Sequence, residues 1–208
     1  MEPDCVKRPP ILATLVVLIA VAAMIGLGLW QLQRRAWKND LLARYAAAAA
    51  NPAPLVLDGA RLPPDAAYRH VVWPCPEAQG DQIVAGRNAA GRSGWAHVTT
   101  CIARSNGVAH SVPVVIGWSF GVAPVQWHGG TVTGTAVPGP KGGVVPPGDA
   151  AIRPLDWHIV ADPPLAGLVA NARPDLAEIP NNHWSYAIQW FAFAATALVI
   201  YALALARR

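Results

Sequence analysis

Two unbroken apolar runs frame the chain. The first, 11–29, follows Lys7-Arg8, and the second, 186–206, is closed by Arg207-Arg208. At about 1.5 Å of rise per residue, a run of about nineteen residues is about 28 Å long, so each predicts a membrane-crossing helix. Ala20-Val21-Ala22 has the look of a cleavage site, but the run continues through Ala23, Met24 and Ile25 to Leu29, which predicts an uncleaved anchor. A mature N-terminus at Ala23 would overturn this reading. Past Leu29, the residues Trp30, Arg34, Trp37 and Leu41 recur at helical spacing. The alanine run 46–50 sustains the helix and Pro52 stops it. One helix is therefore expected from residue 11 to about residue 50, with a span over 11–32 and a membrane-proximal extension over 33–52. The second span is expected over 183–206, which leaves residues 1–10 and 207–208 as short tails.

Between the spans, residues 53–182 change period. Short β-favouring segments occur at 67–73, 82–85, 95–102, 112–118, 131–137 and 157–160. Turn residues separate them at 88–94, at Ser105-Asn106-Gly107, at 126–130 and along the Pro/Gly-rich stretch 138–149. Frequent short strands at this spacing predict a small antiparallel barrel or sandwich, and 165–169 is expected to add a helical turn. The fold class is that of an α+β membrane protein in which two transmembrane helices flank a β-rich outer domain.

Composition agrees. Of 208 residues 53% are hydrophobic and 13% charged, well below the quarter usual in soluble domains. The net charge of +4 is spread along the chain with no basic stretch interleaved with aromatics, which argues against nucleic acid as a partner. Arg207-Arg208 place the C-terminus in the cytoplasm, and two spans return the N-terminus, with Lys7-Arg8, to the same side. Arg34, Arg35 and Lys38 pull the other way, but no Lys or Arg lies between Arg173 and the second span, which makes that span the cleaner witness. Cys5 then lies in the reducing compartment. Cys75 and Cys101 lie outside, either paired or as two small buried thiols. A disulfide between them would close a loop worth about 3 kcal/mol.

Few residues carry recognisable chemistry. Ser93, Ser111, Ser119, His97 and His110 are present without a nucleophile elbow, and Asp156 and Asp162 stand in no acid–base pattern. Because triads assemble in space, a hydrolase stays open as a minor alternative. His70, His97, His110, His128 and His158 are scattered, and His97 reads as a hydrogen-bonded sheet residue. No C-x-x-C pair occurs. His183 differs, because it opens the second span just after Asn181-Asn182, where either asparagine is a favourable N-cap. The positive end of the helix dipole favours its neutral form, with a lone pair for a metal. With Trp184, Trp190 and Phe191 nearby, two readings stay open: an axial ligand for an amphiphilic haem, or an interfacial histidine that caps or packs. Trp30 and Trp37 suit the interfacial belt, and the neighbouring arginines suit lipid phosphates.

Two motifs carry a resemblance. Leu-Gly-x-Trp-Gln-x-x-Arg-x-x-Trp-Lys at 27–38 and Pro-Asn-Asn-His-x-x-Tyr-Ala-x-x-Trp-Phe at 180–191 resemble the surfeit locus protein family of cytochrome c oxidase assembly factors. Segments 91–100 and 114–118 are similar more loosely. The resemblance implies a two-span inner-membrane protein with a β-rich periplasmic domain, or an intermembrane-space domain in mitochondria, that acts without catalysis; the short stretch before Pro9 leads us to expect the bacterial case. It implies a role in haem a insertion into, or stabilisation of, the oxidase core subunit, with that subunit, other assembly factors and membrane lipid as partners. His183 matches the proposed haem ligand. Trp184 and Trp30 are then expected against the macrocycle, with Arg34 or Lys38 near its propionates. A cofactor-free scaffold that holds an oxidase subunit is the alternative.

The chain departs from the family pattern at two places. Val115-Ile116-Gly117-Trp118-Ser119-Phe120 lacks the family's arginine, and Thr100-Cys101-Ile102 replaces its Thr-Pro-Leu. The second change makes Cys101 the candidate partner of Cys75.

Overall fold

The computed structural model describes residues 10–57, 62–63, 65–105, 107–139, 152–154 and 156–207. Cys5, Lys7, Arg8, Arg208 and most of the Pro/Gly-rich stretch lie outside these residues. The chain divides into two compact units: Met1–Leu42 with Ile179–Arg208, and Ala43–Glu178.

The first unit is a helix pair. Helix α1 runs over Ile11–Ala49 and α2 over His183–Ala206. Both are long and apolar enough to cross a bilayer. Asn182 occupies the N-cap position of α2 but makes no side-chain cap bond. The asparagine cap expected there is absent: Asn181, the other candidate, directs its amide NH2 to Asn39 Oδ1 at 2.8 Å.

The second unit contains one mixed sheet. Its strands are β1 (Leu55–Val56), β2 (His70–Cys75), β3 (Glu77–Arg87), β4 (Ser93–Ser105), β5 (Val108–Ser119), β6 (Gly130–Pro138), β7 (Ile152–Pro154) and β8 (Trp157–Ala161). The order is β1-β2-β6-β8-β5-β4-β3, with β7 beside β5. Strands β1/β2, β5/β7 and β5/β8 pair in parallel and the other pairs are antiparallel. The expected barrel or sandwich, antiparallel throughout, is therefore corrected to a single curled sheet with parallel contacts. The last strand, β8, inserts between β5 and β6 instead of adding to an edge.

The curl can be measured. Strands β2 and β4 are four places apart in the order, about 19 Å in a flat sheet at the usual strand spacing. Yet Cys75 on β2 and Cys101 on β4 have Cα atoms 5.5 Å apart and form a disulfide. The chain also passes from β2 to β3 through Pro76 alone, so 70–87 is nearly one bent strand. Its first half pairs with β6 and its second half with β4. Gly129, at φ 123°, lets the backbone pass this corner, since a Cβ there would lie 2.7 Å from the Cys75 carbonyl oxygen. The two sides of the sheet are thus joined by chain and disulfide, and among the described residues no ladder closes them into a barrel.

Inside the curl, Val71, Val112, Val114, Ile116, Val132 and Ile159 surround the disulfide. Trp73 meets Trp157 edge to face at 5.9 Å. The region 165–169 is a turn at Ala166-Gly167 and not the expected helical turn. It leads into Val169, which pairs with Trp118. The short helical segment falls later, at Leu176–Glu178.

Candidate functional site

The two long helices meet along a regular seam. On α1, Thr14, Val17, Val21, Met24, Gly28, Gln31, Arg35 and Lys38 are shielded at alternating spacings of three and four. On α2 the same rhythm selects His183, Ala187, Trp190, Ala194, Ala197 and Tyr201. This is the heptad spacing that keeps one helix face against its partner. The helices run antiparallel, because Thr14 bonds Tyr201 while Gln31 bonds His183. Between these polar pairs lie small residues, with Gly28, Ala187 and Ala194 buried. The helices approach so closely at Gly28 that a Cβ there would stand 2.5 Å from the Phe191 ring.

His183 sits in the first turn of α2, half-buried, with its Nδ1 2.7 Å from Gln31 Oε1. A cluster of contacts clasps the same end of the pair. Lys38 Nζ donates to the Pro180 carbonyl, Asn181 bonds Asn39, and the Arg35 guanidinium stacks over Trp184 at 4.9 Å. The Arg34 guanidinium lies over Trp37 at 4.5 Å. Of the residues expected at this site, the structure brings His183, Trp184 and Lys38 to one end of the helix pair. Trp30 and Arg34 are exposed. Trp30 points about 100° around the helix from Gln31, since each residue turns that far.

Two residues at this site, Gln31 and Arg35, escaped the sequence reading. Their signal was present in the three-and-four spacing with Gly28, but the tryptophans two turns apart drew attention to a different face. The His183 ring faces α1 across a direct hydrogen bond.

A second cluster lies in the sheet unit. His97, fully buried on β4, places Nδ1 2.9 Å from Asp81 Oδ2 and Nε2 2.8 Å from Ser119 Oγ. The order Ser–His–Asp is that of a hydrolytic triad, and Asp81 went unnoticed because it lies just outside the expected strand 82–85, in a stretch given no element or motif. Its protons point elsewhere, however. Ser119 Oγ donates to the Gly121 carbonyl at 2.6 Å, and Asp81 Oδ2 also accepts from the Val125 amide at 2.6 Å. With the imidazole enclosed and the hydroxyl proton directed to a carbonyl, the cluster pins the 119–125 segment to the sheet. Among the described residues no group of three His, Cys, Asp or Glu could hold a metal ion.

Residues 18–195 match the family model of the SURF1 family, and both helix-end motifs fall inside that match. The chain belongs to the SURF1 family. No curated protein matches it. The SURF1 family is associated with cytochrome c oxidase assembly and is a family of assembly factors, not known as enzymes. Oxidase-related partners follow from that membership. Seen as a SURF1 member, the chain brings its two terminal motifs together through the Gln31–His183 bond, although more than 150 positions separate the two residues in sequence.

Proposed function

We propose that this SURF1 member serves maturation of the oxidase core subunit at the inner membrane, binding haem a or bracing the site where it is inserted. In this reading both helices span the bilayer, both termini are cytoplasmic, and the sheet unit lies on the periplasmic side. His183 carries the iron-binding role. Haem a, when bound, would supply an iron that takes an imidazole nitrogen as a ligand.

The donor chemistry of the site fits such a group. Nδ1 is engaged by Gln31, which leaves Nε2 as the coordinating nitrogen. Trp184, next to His183 in the chain and half exposed, offers apolar surface beside it, and Trp30 is half exposed on α1. Arg34 is the freer cation for a propionate, since Lys38 already donates to the Pro180 carbonyl. The observation that carries the reading is the Gln31–His183 bond, which orients one imidazole at the end of a helix pair. Purification from cells that make haem a, followed by a visible spectrum, tests it. A His183→Ala variant with full haem content would sink the ligand assignment.

One observation favours a cofactor-free scaffold instead. Gly28 packs against Phe191 and Gln31 bonds His183 directly, so the seam itself is closed. That reading expects the protein to co-purify with an oxidase subunit regardless of haem synthesis and of His183→Ala.

A further inference from the structure

We infer that Gln31 is the positioning residue of His183: it fixes the tautomer whose Nε2 is bare and ready to coordinate. The inference rests on the ligand reading above and deepens it.

The argument is one of donors and acceptors. The atom of Gln31 that faces His183 Nδ1, at 2.7 Å, is Oε1, a carbonyl oxygen that can only accept. Nδ1 must therefore carry the proton, and in a neutral ring the lone pair is then on Nε2. A metal-bound imidazole usually donates its second N–H to a carbonyl or carboxylate in this way, which holds the ring's orientation and raises its basicity. The seam keeps the donor–acceptor pair in register. Gln31 lies one heptad after Met24 and one before Lys38, on the face of α1 that packs against α2. Lys38 to Pro180 and Asn39 to Asn181 close the same helix end just beyond it. Gln31 touches no ligand in this scheme; it acts through His183.

The test uses the full chain in nanodiscs, labelled with ¹⁵N-histidine and free of haem, at pH 8. Imidazole ¹⁵N shifts assign the tautomer, and His183→Ala identifies the resonance. The expected result is a protonated Nδ1 and a bare Nε2 in the wild type. In Gln31→Leu the tautomers should mix or reverse, and in Gln31→Glu, which keeps an acceptor oxygen, the wild-type pattern should return. Titration with ferric haem should then show binding weaker by about 10- to 100-fold in Gln31→Leu, with recovery in Gln31→Glu. A wild-type ring protonated on Nε2, or a tautomer indifferent to Gln31→Leu, overturns the inference. If the tautomer responds as stated but the wild-type chain takes up no haem, the role of Gln31 stands and the ligand reading falls.

Discussion

Gly28 of α1 lies directly under the aromatic ring of Phe191 of α2, and the backbone of one helix is in contact with a side chain of the other because no Cβ intervenes. Substitution by leucine should push the helices apart. The expected cost is about 1–3 kcal/mol, the range for overpacking a tight contact. A Thr14→Cys/Tyr201→Cys pair reports the outcome, since the bonded partners sit at the far end of the seam. Cross-linking should be efficient in the parent and impaired in Gly28→Leu. Equal cross-linking in both would show that the contact does not hold the pair.

The disulfide spans strands that are distant in sheet order, so its loss should loosen the curl as a whole. Replacing Cys75 and Cys101 by serine should lower unfolding stability by about 2–5 kcal/mol in denaturant titrations. Both cysteines are fully buried, so mild reductant should act on the native wild type slowly, at the rate of opening. An unchanged midpoint in the double serine variant would rule out the disulfide as the brace.

Removing the His97 ring should strand Asp81 and Ser119. His97→Ala is expected to cost about 1–3 kcal/mol, the penalty of buried groups that lose their partner. The 119–125 segment should exchange its amides faster, most clearly Val125, which bonds Asp81. If Ser119 were instead a nucleophile, a fluorophosphonate would label it in the wild type and not in Ser119→Ala. No label is expected.

Tyr68 offers a titration. Burial raises its pKa from the ordinary 10.0, and the nearby Tyr45 phenol raises it further. Their ring centroids are 5.1 Å apart. A group with a raised native pKa favours the fold fully below its unfolded value and loses that contribution as pH climbs through the native one. Stability linked to Tyr68 should therefore hold up to about pH 10 and fall above it. Ultraviolet phenolate absorbance should show a late-titrating tyrosine that disappears in Tyr68→Phe and titrates earlier in Tyr45→Phe.

The elements that could be read from the chain were those whose burial is local and periodic. The six expected strands overlap β2, β3, β4, β5, β6 and β8, because β-branched and aromatic residues cluster where the sheet buries them. β1 and β7 span two and three residues, too few to show a period. The insertion of β8 between β5 and β6 could not be seen, since a strand such as Trp157–Ala161, buried at nearly every position, carries nothing that names its neighbours. At the candidate site, His183 stood out by position alone. Its partner Gln31 did not, because a glutamine in a helix is ordinary until the opposing residue is known. The asparagine cap failed for a related reason: the Asn181 side chain is drawn to Asn39 of α1, to which it donates.

The two polar pairs of the seam, Thr14 with Tyr201 and Gln31 with His183, mark off about seventeen residues of helix, or about 26 Å. Sliding one helix past the other by a turn would break both bonds at once, so the pair behaves as a ruler of fixed length. In a bilayer thicker or thinner than this distance, the helices should meet the mismatch by tilting together while the lipid deforms around them. Membrane thickness would then set the depth at which His183 stands, and the lipid composition would tune where the protein presents that imidazole.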